Sequence, residues 1–193
     1  MKKLVTSLCM LSSLLLANEA SNLMSIGIQT STGTTNRTFE NTTGSRDESF
    51  DLKSYKILVG KDFAIYGTDA QTSRFYLAYK YNDLDSDIFG SYNTFSLGYQ
   101  ENMDYLPLLN TQNHKILPLI GLELGYATAD NGFSEDAFSS EFNAGLVYQF
   151  YNMELSLAYT YNYVSWNNSD ARDDFNNNQV SLGFTYKIMT GDQ

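Results

Sequence analysis

The chain has 193 residues, a formal net charge of -10 and a mean hydropathy of -0.32. A chain this acidic lacks the basic face that phosphate backbones require, which excludes nucleic acid as a partner. Its one cysteine, Cys9, allows no intrachain disulfide, and its one histidine, His114, has no second histidine to work with.

The N-terminus reads MKKLVTSLCMLSSLLLANEA. Two lysines, an apolar run from Leu4 to Leu16 and small residues up to Ala20 form the three-part pattern of a secretory signal peptide. Cleavage is expected after Ala20, with Ala17 the alternative. The apolar run is shorter than the ~20 residues a spanning helix needs. Cys9 lies within this segment, so residues 21–193 carry no thiol chemistry and are expected to form one domain.

Beyond residue 20 the chain is rich in aromatics, with 15 tyrosines and 12 phenylalanines in the whole sequence against 2 prolines. Apolar and polar residues alternate over 22–31, 52–66, 73–82, 92–103, 116–127, 140–150, 152–163 and 179–188. Most of these segments match the roughly 9–11 residues of a tilted membrane strand. The connections take turns. Long polar loops are expected at 32–51, 83–91, 128–139 and 164–178, and shorter turns at 67–72, 104–115 and Tyr151-Asn152. This alternation predicts an all-β, eight-stranded antiparallel up-and-down transmembrane barrel with long loops at one end. The alternative reads GKD at 60–62 as a turn and gives ten strands.

Every segment divides into two faces. In NMELSLAYTYNY (152–163) one side carries Leu155, Leu157, Tyr159 and Tyr161, and the other Glu154, Ser156, Ala158 and Thr160. Across the set, one face gathers Ile, Leu, Val, Phe and Tyr. The other gathers Gly27, Gly98, Gly121, Gly125, Gly145 and Gly183 with the charged residues Lys56, Arg74, Lys80, Glu123, Glu154 and Lys187, and Asp62 as a further acid. An eight-stranded interior is only just wide enough for side chains, so the crowded apolar face belongs outside, on lipid. A lysine or arginine facing lipid at midplane would cost about 2–4 kcal/mol, which sends the charges inward. Lone buried charges are costly too, so bridges are expected between Arg74 and Glu154, and between Lys56 or Lys80 and Glu123.

Segments such as PLIGLELGYA and QVSLGFTYKI resemble the strands of the small outer-membrane β-barrels of Gram-negative bacteria. That family includes the transmembrane domain of outer membrane protein A and outer membrane protein X. The resemblance implies residence in the outer membrane, contact with its lipid and lipopolysaccharide, passage through the assembly machinery, a monomer and no cofactor. Any extracellular loop partner is unspecified. It implies a structural, envelope or surface-interaction role, with a small porin-like channel as the alternative and a lipid-modifying enzyme as a third reading.

Other residues carry less. His114 falls in the connection after the fourth segment, away from the loop end where barrel enzymes hold their catalytic histidine, and is expected to be a solvated turn residue without a catalytic role. DLDSDI supplies Asp83, Asp85 and Asp87, but Ile88 stands where a calcium loop needs glycine. Weak cation contacts are expected there and no metal site. Trp166 and Phe175 are expected in the last loop, anchored at the membrane interface or, as the alternative, in contact with a partner.

Overall fold

The computed structural model describes residues 23–63, 73–86, 90–129, 137–168 and 171–189. The strands are β1 (Leu23–Asn41), β2 (Gly44–Phe63), β3 (Ser73–Leu84), β4 (Ser91–Asn102), β5 (Leu109–Asn110), β6 (His114–Ala129), β7 (Ala137–Phe150), β8 (Met153–Asn168) and β9 (Ala171–Met189). All pairings are antiparallel, and the sheet runs β4-β3-β2-β1-β9-β8-β7-β6, with β4 also paired to β6. That last pairing closes the ring, so no long strand lacks a partner on either side.

The register fixes the shape. Following partners from Ile28 through Ile57, Tyr79, Phe95, Tyr126, Phe138, Ser165 and Asp174 returns to β1 at Thr38, ten residues further along. With ~3.3 Å per residue and ~4.8 Å between strands, a stagger of ten over eight strands implies a tilt of ~40°. Each of the eight long strands covers the described part of one alternating segment to within one residue at its ends. Residues 22 and 64–66 of the expected strands, the turn at 67–72, most of the loop at 128–139 and the signal segment 1–20 lie outside the described residues. GKD at 60–62 is not a turn, because Gly60, Lys61 and Asp62 pair with Tyr76, Phe75 and Arg74 inside β2. The ten-strand alternative is therefore excluded.

Two of the expected loops are strand instead. Residues 32–41 and 44–51 continue β1 and β2 as a long hairpin, and 164–168 and 171–178 do the same for β8 and β9. Threonine-rich TSTGTTNRT lacks apolar alternation, but β-branched residues suit an extended backbone. The hairpin turns tightly. Asn41 Oδ1 accepts from Thr43 N at 2.9 Å and from Gly44 N at 3.1 Å, and Gly44 takes a φ of 153° that favours glycine.

Along the lower strands the outward parity is mainly apolar and the inward parity mainly polar, with Ser73 and Glu101 buried on the outward side and Leu117 and Leu119 buried on the inward side. Outward stand Ile26, Ile28, Ile57, Leu122, Leu124, Leu157 and Leu182, all exposed, while Ser25, Lys56, Arg74, Glu123 and Glu154 on the other parity are buried. No helix among the described residues is long and apolar enough to cross a membrane; the wall itself carries the apolar surface.

Candidate functional site

Below the upper mouth, eight inward charges of the described residues fall into two groups of four. In the lower group, near the short turns, Arg74 Nε donates to Asp62 Oδ1 at 2.6 Å and Nη2 to Glu154 Oε2 at 2.8 Å. Lys187 Nζ lies 2.8 Å from Glu154 and 3.7 Å from Asp62, closing a ring of alternating charge. Ser25 Oγ donates to Asp62 at 2.6 Å, and the amides of Gln149 and Asn102 donate to Glu154 at 2.9 and 3.2 Å.

The second group lies deeper. Lys56 Nζ is 2.5 Å from both Glu123 Oε1 and Glu141 Oε1, and Lys80 Nζ is 2.7 Å from Glu141 Oε2. Tyr76 donates its hydroxyl to Glu123 at 2.7 Å, as does Ser96. Gly98 makes this possible, because a Cβ there would overlap the Tyr76 ring. Each group contains two acids and two bases, so each is formally neutral.

The lumen therefore brings together all six residues Lys56, Arg74, Lys80, Glu123, Glu154 and Lys187. Lys80 goes to Glu141 and Gln179 instead of Glu123. Sequence reasoning passed over Glu141, although it shares the inward parity of Asn143 and Val147 on β7 and could have been found by it.

Above the charges lies a hydroxyl and amide layer. Thr160 donates to Asn143 at 2.6 Å, Ser31 meets Ser181 at 2.9 Å, and Asn177 Nδ2 donates to Tyr92 and to Asn162, each at 2.7 Å. Higher still the filling turns apolar: Leu52, Leu84, Tyr92, Val164, Trp166 and Phe175 pack together. Trp166 and Phe175 are thus not interfacial loop anchors. They lie on β8 and β9 with inward parity, 5% and 2% exposed, and Trp166 meets Tyr92 edge-on at 6.3 Å. Over this lid, Arg37 clasps Asp173 at 2.7 Å and Glu48 at 2.8 Å. Burial pushes the Asp173 carboxyl above the ordinary aspartate range, against the pull of Arg37, with Asp174 and Glu48 adding repulsion.

His114 is not a solvated turn residue. It starts β6 opposite Phe150, and its ring stacks on Phe150 at 4.8 Å and on Tyr148 at 5.9 Å, with Nδ1 2.6 Å from the Tyr148 hydroxyl. Phe63, Phe75 and Tyr99 form a second aromatic group at the same end, with ring centroids 5.1 to 6.4 Å apart. These outward rings are placed as an interfacial girdle. Asp83 and Asp85 are exposed, and Asp87 lies outside the described residues. Among the described residues no cluster of acids, histidine or cysteine could hold a metal ion.

A closed ring of eight tilted antiparallel strands, apolar outside and polar within, defines a small transmembrane β-barrel. Solved structures that it is similar to include small outer-membrane barrels. Neisserial surface protein A is 18% identical with a TM-score of 0.49, covering 84% of this chain and 97% of that one. The N-terminal β-barrel domain of Pseudomonas aeruginosa OprF is 15% identical, with a TM-score of 0.45 over 88% of this chain and all of that one. Ail, the attachment invasion locus protein of Yersinia pestis, is 13% identical, with a TM-score of 0.36 over 87% of this chain and 99% of that one. No protein-family model matches the chain, and no curated protein matches it.

Proposed function

We propose that the chain is an exported, integral outer-membrane barrel whose lumen is sealed, and that it acts as an envelope or surface scaffold displaying the long β1–β2 and β8–β9 hairpins. The observation that carries this reading is the compensation of the lumen charges. Lys56, Asp62, Arg74, Lys80, Glu123, Glu141 and Glu154 are at most 3% exposed, and each pairs with an opposite charge. An ion pathway needs charges that water and ions can reach. Buried pairs that satisfy one another do the work of a core instead. The apolar lid at the upper mouth adds a second seal.

The belt supports insertion in lipid, and the pattern of residues 1–20 supports export. In this reading lipid and lipopolysaccharide surround the wall, and the polar outer faces of the hairpins are the surface open to an extracellular partner. The test is conductance in planar bilayers. The purified barrel should give no discrete steps above the lipid background, and steady single-channel openings would overturn the sealed-lumen reading in favour of a small porin.

A further inference from the structure

The connection between β4 and β6 has an unusual geometry. β5 lies on the same edge of β6 as β4: Asn102 is opposite Leu119, and Leu109 is opposite Ile116. β5 is thus the continuation of β4, and residues 103–108 are extruded between them. The extrusion is pinned at both ends. Met103 N donates to Pro118 O and Leu108 N to Ile116 O, each at 2.8 Å, and Leu106 N turns back to Met103 O at 3.1 Å. Pro107, which has no N–H to give a ladder, suits a segment that leaves the wall.

Its composition is the opposite of a soluble turn. Tyr105, Leu106 and Leu108 are 60%, 57% and 66% exposed, whereas the true turn at Thr111, Gln112 and Asn113 is polar. Exposure this high shows that the segment does not fold into the lumen. Leu117 and Leu119 fill that side of β6 and are buried. The segment leaves the wall between the strands that carry the Phe63–Phe75–Tyr99 group and those that carry the His114–Tyr148–Phe150 group, and Leu109 shares the outward face of Ile116.

We infer that residues 103–109 are a lipid-dipping foot, seating Tyr105, Leu106 and Leu108 at the headgroup and acyl boundary of the leaflet nearest the short turns. The inference rests on the membrane reading above. Its occupant is set by continuity: Leu109 shares the outward face of Ile116, and that face continues along β6 to the exposed Ile120, Leu122 and Leu124. On β4 the outward Glu101 is covered by hydrogen bonds from Ser73 and Tyr99, so the phase that covers the belt reaches the foot along β6. A contiguous exposed apolar patch needs such a cover, and interfacial segments bind by this kind of shallow burial.

The test uses single tryptophans in a Trp166→Phe background, refolded into phosphatidylethanolamine and phosphatidylglycerol vesicles containing brominated phosphatidylcholine. Leu106→Trp and Leu108→Trp should emit at shorter wavelength than Gln112→Trp. They should be quenched several-fold more strongly by bromine placed near the headgroup, and Leu157→Trp more strongly by deep bromine. If the foot probes are unquenched while Leu157→Trp is quenched, the foot is wrong and the membrane reading stands. If Leu157→Trp is also unquenched, both fall. A blue-shifted foot that bromine does not quench would mean that protein covers it, a second copy or a partner, and would overturn the inference.

Discussion

The lower and upper parts of the wall belong to the same strands and have opposite polarity. In lower β8, Leu155 and Leu157 point out while Glu154 is buried. In upper β8, Val164 and Trp166 are buried while the outward Tyr163 hydroxyl accepts a hydrogen bond from Arg172. β9 repeats the pattern, with Leu182 and Phe184 outward below and Phe175 inward above, and β2 has Ile57 and Val59 outward below and Leu52 inward above. The reversal follows from the solvent. Where lipid surrounds the sheet, the apolar parity is free to face out and the lumen must be polar to define an inside. Where the sheet rises into water, burial of apolar surface again drives packing inward. The switch falls between Leu52 and Tyr55 on β2 and between Phe175 and Val180 on β9.

The two parts should therefore respond differently to substitution. The largest effect is expected for Glu141→Leu, which strips Lys56 and Lys80 of a shared partner in the lower lumen. Breaking a buried pair in this way should cost about 3–5 kcal/mol in denaturant unfolding from vesicles. Phe175→Ala, in the lid, should cost about 3 kcal/mol, because a cavity at an open mouth can partly collapse. The double variant should be additive to within about 0.5 kcal/mol, since among the described residues no side chain hydrogen-bonds or packs against both sites. Coupling well beyond that would show that lid and charges form one unit and would erase the distinction drawn here.

The smallest effect is expected at the clasp. Arg37→Met should cost about 2 kcal/mol at neutral pH, less than Glu141→Leu, because the freed Asp173 carboxyl, already held above the ordinary range, can take up a proton instead of standing as an unpaired buried charge. Asp173, whose folded-state carboxyl titrates above its unfolded value, gives a contribution that is full below the ordinary aspartate pKa and lost as pH rises through the raised one. The penalty for removing Arg37 should thus shrink as pH falls through that window. Unfolding midpoints of both proteins across acidic pH check the sign, and a penalty that grows on acidification would contradict it.

The reversal also explains which features could be read from the sequence. A single alternating parity finds the lower strands and assigns Lys56, Arg74, Glu123 and Glu154 to the inside. At the switch that parity stops, so 32–51 and 164–178 look like polar loops, and Trp166 and Phe175 look like exposed aromatics. Read with the opposite parity, Val164 and Trp166 alternate as well, whereas Phe175 stands alone between the inward Asp173 and Asn177 and leaves no periodic signal. His114 was misplaced for another reason: the turn lies at residues 111–113, and the hydrogen bonds between Leu109–Asn110 and Lys115–Ile116 begin β6 earlier than its apolar alternation does.

The sequence alone determined the eight alternating segments and their two faces in the lower wall, because a side-chain period of two and the length of the apolar stretches are local properties. That 60–62 is strand and not a turn was decided by its pairing with β3. Partner choice was decided by the closed ring. Its stagger of ten residues sets which inward side chains share a level, sending Lys80 to Glu141 and joining Asp62 of β2 with Lys187 of β9. No spacing along the chain encodes those meetings, because they depend on distances across a lumen that exists only once the first strand has paired with the last.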